Sequence, residues 1–295
     1  MNRIFVTGGS GFIGTNLVQY LVDNGHQVVN FDIASPRNKE HQHFWILGDV
    51  LDEKALSREV EKNQPEYFIH LAARTDLDGK NLTDYKTNTD GVLNVVSVVA
   101  QSDSIKKVLF ASSRLVCKIG YLPKHNRDYL PTTFYGESKV IGEGIVHDYA
   151  DKLSCSWAII RPTSIWGPWF DTPYKEFFFT VLHSLYIHPK GMRILKSFGY
   201  VGNTVSQIWA LLTRNSALVH EKTLYLCDYP PIEVQEWATL IAEKNGNKKP
   251  YEVPLAFLRI IAMAGDLLKK IGYPVINKEY TKNNLSEFIK SELRN

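Results

Sequence analysis

Two side chains on one predicted helix have the types and spacing for acid–base chemistry. Tyr135 and Lys139 are four residues apart, so they share one face of a helix. A phenol titrates at about pH 10 and is a poor base at neutral pH, but a neighbouring ammonium stabilises the phenolate. Ser112 and Ser113 follow a predicted strand, and one hydroxyl there can hold a substrate oxygen beside the tyrosine. The Tyr–Lys spacing also suits a plain amphipathic surface helix, and the serines also suit ordinary helix or turn capping.

A glycine-rich turn before the first predicted helix favours the catalytic interpretation. Residues 7–14 read TGGSGFIG and contain G-x-G-x-x-G in Gly9, Gly11 and Gly14. The wider spacing G-x-x-G-x-x-G begins at Gly8. Glycines permit the tight turn and let main-chain N–H groups approach a pyrophosphate at the positive end of the following helix. The turn follows a strand and opens a helix, which predicts a dinucleotide site.

An aspartate at the end of the second predicted strand indicates which dinucleotide is bound. Asp32 lies 18 residues after Gly14, where a carboxylate accepts hydrogen bonds from the adenosine ribose. Its negative charge repels a 2′-phosphate, so NAD is preferred over NADP. Arg37 lies nearby and leaves open how strict that preference is.

Strands and helices alternate through the first half of the chain, which predicts a Rossmann-type, doubly wound parallel α/β sheet. Predicted strands cover residues 4–7, 28–32, 44–47, 67–71, 107–111 and 157–160, with helices at 52–64, 82–100 and 132–149. Prolines and a glycine after Arg161 indicate a boundary. We expect an NAD-binding domain over residues 1–165, with returning segments near 190–225. A smaller, mostly helical substrate lobe is expected over 166–295.

The second half of the chain has weaker patterns. Helices are predicted at residues 177–187, 207–212, 233–245, 255–271 and 285–293, a strand at 223–227, and an irregular stretch at 189–205.

Composition excludes several classes of protein. The chain has 295 residues, 44% hydrophobic and 22% charged, with a net charge of +3. A dedicated nucleic-acid binder would carry a stronger basic excess. Three widely spaced cysteines suggest neither a disulfide framework nor a zinc site. With no signal peptide and no long apolar run, we expect a cytoplasmic protein that is not inserted in a membrane.

The motifs resemble those of the extended short-chain dehydrogenase/reductase family, in its nucleotide-sugar epimerase/dehydratase branch. The resemblance covers residues 3 to about 205 and is general beyond them. It is carried by TGGSGFIG at 7–14, Asp32, GDV at 48–50, LAA at 71–73, Asn88, Ser112–Ser113, YGESK at 135–139 and RPTSIWGP at 161–168.

The resemblance implies roles for the matching positions. Ser113, Tyr135 and Lys139 would be catalytic, with Tyr135 as the general acid or base. The cofactor would contact Gly8, Gly11, Phe12, Ile13, Gly14, Asp32, Asp49, Val50, Leu71, Ala72, Ala73, Asn88, Tyr135, Lys139 and Pro162. The substrate would contact Arg74, Ser112, Ser113, Ser164 and Lys196.

The chain also departs from the family pattern. In 4,6-dehydratases an Asp-Glu pair follows the catalytic serine or threonine, but here Arg114 and Leu115 follow Ser113. Ser164 replaces a common asparagine, and Lys196 stands where an arginine often grips a diphosphate. Residues 116–118 read VCK where V-Y-G is usual, and residues 201–203 read VGN where V-D-D is usual.

We therefore expect an NAD-dependent epimerase acting on a nucleoside-diphosphate sugar through a transient keto intermediate. One alternative is an NAD(P)-dependent reductase or dehydrogenase of a keto-sugar nucleotide or another small carbonyl compound. Another is a non-catalytic, dinucleotide-sensing protein, although such proteins usually lose the Tyr–Lys pair. Family analogy further suggests a homodimer.

Overall fold

Seven parallel strands form the largest sheet of the protein. The computed structural model describes residues 1–170 and 174–258. The order of the strands is β3-β2-β1-β4-β5-β6-β11, so the chain leaves β1 first toward one edge and later toward the other. This order confirms the predicted doubly wound sheet. The strands are β1 Arg3–Thr7, β2 Gln27–Asp32, β3 Trp45–Leu47, β4 Tyr67–His70, β5 Lys107–Ala111, β6 Ser156–Pro162 and β11 Lys222–Leu226.

Helices cover both faces of the sheet, because alternate strand residues are apolar on both sides. Phe5 packs in one buried cluster with residues of α2 and α3, whereas Ile4 and Val6 pack in another with α1 and α6. This pattern is typical of parallel sheets that are buried on both faces. The helices are α1 Phe12–Asp23, α2 Glu53–Asn63, α3 Lys86–Ala100, α4 Phe134–Asp148, α5 Tyr174–Leu182, α6 Val201–Thr213, α7 Ser216–Val219 and α8 Val234–Lys244.

The chain divides into two compact units. The first comprises Met1–Trp169 and Phe198–Asp228 and holds the large sheet. It also holds a two-stranded parallel sheet of β7 (Ser164–Trp166) and β10 (Phe198–Tyr200). The second comprises Phe170–Ser197 and the described residues after Asp228.

The second unit contains α5, α8 and two small sheets. β9 (Leu195–Lys196) pairs antiparallel with β12 (Ile232–Glu233), and β8 (Ile187–Pro189) pairs in parallel with β13 (Tyr251–Val253). In the core of this unit, Phe177 stacks on Trp237 with ring centroids 5.1 Å apart.

The main differences from the sequence predictions lie after residue 170. The helix predicted at 177–187 is α5, which ends at Leu182; Ser184 then adopts a positive φ of 56° and β8 follows. The prediction of an irregular stretch at 189–205 is wrong, because these residues contain β9, β10 and the first turn of α6. Most of the helices predicted at 255–271 and 285–293 lies outside the described residues. Within the described ranges, no helix is long and apolar enough to cross a membrane.

A buried ion pair connects α4 to β6. The Arg161 guanidinium donates to both carboxylate oxygens of Glu143, at 2.8 and 2.7 Å, and both side chains are almost fully buried. Arg161 also donates to the Tyr225 hydroxyl and the Asn126 carbonyl, and the Tyr129 hydroxyl donates to Glu143. Burial alone would lower the pKa of Arg161, but the hydrogen bonds and charge of Glu143, together with Tyr225, outweigh burial and raise it. The pair fixes the helix against the sheet.

Replacing Arg161 with Met should lower the free energy of unfolding by about 3 to 5 kcal/mol, because the Glu143 charge would stay buried without its partner. Urea unfolding followed by circular dichroism measures this loss. Lys62→Met removes a surface ion pair with Glu59, and as the control it should change stability by less than about 0.5 kcal/mol. Equal losses of unfolding free energy in the two variants would show that burial does not make the Arg161–Glu143 pair more important than a surface ion pair.

Candidate active site

The turn between β1 and α1 packs so closely that it requires its glycines. Gly8 has a φ of +76°, and a Cβ there would lie 2.5 Å from the main-chain nitrogen of Ala72. A Cβ on Gly14 would lie 2.2 Å from the Gly8 carbonyl oxygen. α1 begins at Phe12, and its N-cap residue Gly11 brings no capping side chain. Because no side chain competes there with an anion, the turn fits a pyrophosphate.

The carboxylate of Asp32 is held at the end of β2, beside that turn. Its two oxygens accept from the main-chain N–H groups of Ser10 and Ala34, each at 2.9 Å. The Arg37 guanidinium donates to the Trp169 carbonyl at 2.9 Å. The aspartate thus connects β2 to the glycine turn. A carboxylate that recognises an adenosine ribose has to lie at this position.

Asp49 and Val50 follow β3 at the same edge of the sheet. Asp49 accepts from the Leu51 N–H at 2.9 Å, which shapes a tight turn. The Val50 carbonyl accepts from the Asn94 amide at 2.9 Å, and a Cβ on Gly91 would lie 2.9 Å from the Val50 side chain. These contacts hold the turn against α3, while the predicted adenine contacts of Asp49 and Val50 stay a prediction.

The end of β4 also lies beside the glycine turn. The Leu71 N–H donates to the Thr7 carbonyl at 2.9 Å, and Ala72 and Ala73 continue past Gly8. A 2.7 Å hydrogen bond joins Nδ1 of buried His70 and the Thr7 hydroxyl. Burial and, as the smaller effect, the Lys139 charge together lower the pKa of His70 to about 3, so the imidazole is neutral. The histidine joins β1 to β4 where the strand order reverses.

Ser113, Tyr135 and Lys139 come together at the ends of β5 and α4. The Thr133 side chain caps α4 by accepting from the Gly136 N–H, which places Tyr135 in the first turn. The Ser113 side chain is close enough to the Tyr135 hydroxyl to lower the pKa of that phenol. The Lys139 ammonium lies 6.0 Å from the centroid of the Tyr135 ring and donates to the Ala111 carbonyl at 3.0 Å. The structure therefore brings the three predicted catalytic residues together.

Burial shifts the pKa values of both ionisable members of this group. It raises the pKa of Tyr135 to about 12, although the nearby Ser113 side chain opposes the shift and the Tyr85 phenol adds to it. It lowers the pKa of Lys139 to about 8, against the charge of Glu143. At neutral pH the pair is a neutral phenol beside an ammonium.

The loop after β4 uses the predicted substrate residue Arg74 for its own structure. The Arg74 guanidinium donates twice to the Asp76 carboxylate, at 2.8 and 3.0 Å, and once to the Asp84 carbonyl at 3.1 Å. Its carbon Cζ lies 5.1 Å from the centroid of the Tyr85 ring. Asn88 accepts from the main-chain N–H of Arg74 and donates to its carbonyl. These contacts do not support the prediction that Arg74 binds substrate.

The other predicted substrate residues lie in both units. Ser112 is buried, and its hydroxyl has no hydrogen-bond partner within the described part of the chain. Pro162 ends β6, and Ser164 begins β7 with its side chain buried. Lys196 lies in the second unit, on β9, opposite Ile232. Their roles at a substrate stay predictions.

Sequence reasoning did not single out two side chains that contact the catalytic group. Glu143 lies four residues after Lys139 and eight after Tyr135, so the same helical spacing could have found it. Tyr85 lies three residues before Asn88, and its ring centroid is 6.1 Å from that of Tyr135. Nothing in the sequence pattern predicts that contact, because a loop and a distant helix make it.

Comparison with protein families gives a match over most of the chain. The model described as NAD dependent epimerase/dehydratase family matches residues 4–227. This span includes the glycine turn, Asp32 and the Ser–Tyr–Lys group.

Two curated relatives cover most of the chain at low identity. A 3 beta-hydroxysteroid dehydrogenase/Delta 5-->4-isomerase of Mycobacterium tuberculosis is 28% identical over 274 residues, covering 85% of this chain and 71% of the relative. An N-acetyl-alpha-D-glucosaminyl-diphospho-ditrans,octacis-undecaprenol 4-epimerase of Escherichia coli O157:H7 is 25% identical over 278 residues, covering 92% and 81%.

Solved structures share the fold. The UDP-glucose 4-epimerase of Thermotoga maritima, solved with UDP-glucose, has a TM-score of 0.71 at 22% identity, covering 85% of both chains. That of Thermus thermophilus, solved with NAD, has a TM-score of 0.69 at 21% identity, covering 85% of this chain and 86% of the other. The family match, the sheet order and the arrangement of Ser113, Tyr135 and Lys139 agree: the chain belongs to the NAD-dependent epimerase/dehydratase family of extended short-chain dehydrogenases/reductases.

Proposed function

We propose that the protein is an NAD-dependent epimerase that acts on a nucleotide-activated sugar through a transient keto intermediate. The observation that carries the proposal is the buried group of Ser113, Tyr135 and Lys139 at the same sheet edge as the glycine turn and Asp32. A proton-transferring phenol beside a dinucleotide site is what reversible oxidation of a secondary alcohol requires.

Tyr135 performs the proton transfers in this proposal. Its phenolate takes the proton of a sugar hydroxyl during oxidation, and the phenol returns it after the keto sugar has turned and is reduced on its other face. Ser113 holds the same oxygen through its hydroxyl and stabilises the phenolate. When bound, oxidised NAD supplies the hydride acceptor and a second positive charge beside the phenol.

Lys139 makes a phenolate attainable. Burial alone keeps Tyr135 protonated far above neutral pH, so a nearby positive charge must lower the free energy of the phenolate. The Lys139 ammonium is the group on α4 placed to do this, with its direction fixed by the Ala111 carbonyl.

The residues after Ser113 favour epimerisation over 4,6-dehydration. Arg114 and Leu115 form a short 3₁₀ turn in which the Leu115 N–H donates to the Ser113 hydroxyl oxygen at 3.1 Å. Neither side chain can act as the paired acid and base that eliminate water. The epimerase relatives and structural neighbours support the same assignment.

A second candidate function is a net dehydrogenase or reductase, in which cofactor exchanges at each turnover. The 28% identity to a 3 beta-hydroxysteroid dehydrogenase favours it. The same Tyr–Lys–Ser group would serve it, since both reactions begin by oxidising a secondary alcohol. Stoichiometric change in the absorbance of reduced cofactor separates the two, because an epimerase leaves the cofactor unchanged overall.

Replacing Tyr135 with Phe should lower kcat by about 100- to 10,000-fold while NAD still binds, because only the proton-transferring oxygen is lost. A panel of UDP-, GDP- and dTDP-sugars, scored by product identity, measures turnover. Tyr149→Phe, at the C-cap of the same helix, is the control and should keep wild-type activity. Undiminished turnover by the Tyr135 variant would falsify the assignment.

Replacing Asp32 with Ser should weaken NAD binding by about tenfold or more, since a charge-assisted hydrogen bond to the ribose is lost. Binding of NADP should fall less or improve, because the charge that repels the 2′-phosphate is gone. Titration calorimetry with each cofactor checks both effects, with Asp103→Ser, at an exposed position, as the control. An unchanged ratio of the two affinities would place cofactor selection elsewhere.

Replacing Lys139 with Met should stabilise the cofactor-free protein at pH 7 by about 1 to 3 kcal/mol while abolishing turnover. The folded pKa is about 8, against 10.5 ordinarily, so between these values the unfolded chain binds more protons. The stability of the wild type therefore rises with pH across that window.

The gain from the Lys139 substitution should thus be complete below pH 8 and shrink toward pH 10.5. Urea unfolding from pH 7 to 10.5 measures it. Lys54→Met, at an exposed position on α2, should show no such trend. A gain that does not change with pH would mean that burial of the ammonium is not its source.

A further inference from the structure

Tyr85 is a fully buried tyrosine beside the acid–base group. Its ring centroid lies 6.1 Å from that of Tyr135, with 59° between the ring planes. Its hydroxyl donates to the Asp76 carbonyl at 2.9 Å and accepts from the Gly79 N–H at 3.1 Å. Two main-chain groups of one loop therefore hold the phenol whose ring contacts Tyr135.

The same loop packs against the Tyr85 ring at Gly79. A Cβ on Gly79 would lie 2.3 Å from Cε2 of Tyr85 and 2.7 Å from its hydroxyl oxygen. No side chain fits between the loop and the ring without moving one of them. Gly79 is therefore needed for the closeness of this contact.

A second connection links the same loop to the catalytic helix. The Asn88 side chain makes hydrogen bonds with both the main-chain N–H and the carbonyl of Arg74. It also donates to the Ser138 hydroxyl at 3.0 Å. The Ser138 hydroxyl donates to the Tyr135 carbonyl at 2.7 Å. The loop is thus connected to the main chain of Tyr135 through Asn88 and Ser138, and to the ring of Tyr135 through the ring of Tyr85.

We propose that Tyr85 is a positioning residue for Tyr135: its ring is the wall against which the Tyr135 ring rests, so that the Tyr135 hydroxyl is held toward Ser113. Arg74, stacked on Tyr85 and paired with Asp76, belongs to the support of that wall. The proposal rests on the proposed function in that it takes Tyr135 as the group that moves the proton.

Loss of the Tyr85 ring should change the pKa of Tyr135, because that ring is part of its surroundings. The polar groups that face its phenol are Ser113, Tyr85 and the Lys139 ammonium. Burial raises the pKa of Tyr135, and the Tyr85 phenol adds to that shift. Removing the Tyr85 ring would admit water and remove the phenol, and both changes lower the pKa of Tyr135.

Tyr85→Leu should lower kcat on the accepted sugar nucleotide by about 10- to 100-fold, with NAD affinity and KM changed much less, because the reacting oxygen is misplaced rather than absent. Tyr85→Phe keeps the ring but loses both hydroxyl bonds, so its kcat should fall less, by about threefold to tenfold. If the leucine variant does not fold, Gly79→Ala takes its place, since the added Cβ would displace the Tyr85 ring, and wild-type kcat in Gly79→Ala would overturn the proposed wall.

Gly79→Ala should resemble Tyr85→Leu, and the double variant should be no slower than Tyr85→Leu alone, because both changes act through the same ring. Gly144→Ala is the matched control, since a Cβ at that position on α4 meets no atom within 4 Å. Losses that multiply in the double variant would show that Gly79 acts independently of Tyr85.

The ionisation of Tyr135 gives a readout that needs no substrate. In the NAD-bound protein, the ultraviolet difference absorbance of tyrosinate, less that of Tyr135→Phe, reports the pKa of this phenol. Tyr85→Leu should lower that pKa by about one unit, and Gly144→Ala should leave it unchanged. Unchanged pKa and kcat in Tyr85→Leu would overturn the positioning role. If the wild type turns over no sugar nucleotide, the proposed function fails, but this titration still decides the role of Tyr85.

Discussion

The buried ion pair between Arg161 and Glu143 fixes the rotation of α4 about its own axis, and the active site depends on that rotation. Tyr135, Lys139 and Glu143 recur at every fourth position and therefore share one face of the helix. A slip of one residue would turn that face by about 100° and point both catalytic side chains away from the sheet edge. With Glu143 held by two hydrogen bonds to β6, Lys139 is left facing the carbonyl of Ala111 at the end of β5.

The two halves of the predicted chemistry depend on different parts of the chain. The glycine turn is built from main-chain groups after β1 and β4. These groups can approach each other closely because Gly8 and Gly14 have no side chains. The acid–base group is built from buried side chains, and burial opposes the charge of Lys139 and the ionisation of Tyr135. The buried acid–base group therefore stores unfavourable free energy at the point where chemistry is expected.

This division explains how much could be predicted from the sequence. Local spacing marked the glycine turn, Asp32 and the Tyr–Lys pair, and apolar periodicity placed the strands of the large sheet within one or two residues. The stretch at 189–205 was misjudged because β9 and β10 are two- and three-residue strands defined by partners far along the chain. Tyr85 was missed for the same reason, since its importance lies in a contact 50 residues away. Arg74 is the converse case: its side chain pairs with Asp76 and lies over the Tyr85 ring, whereas its predicted contact with a substrate stays a prediction.

Three cations of the first unit, Arg74, Arg161 and Lys139, differ in the partners that they take. Arg74 is paired with a carboxylate two residues away, and Arg161 is paired with Glu143. Each pair presents little net charge to its surroundings. The Lys139 ammonium instead donates to a main-chain carbonyl, which fixes its direction without cancelling its charge. Tyr135 therefore experiences the field of one adjacent cation while two others hold the structure around it. In a buried site a single charge acts strongly. Under the proposed function, the placement of Lys139, more than the number of basic residues nearby, therefore decides whether a phenolate can form.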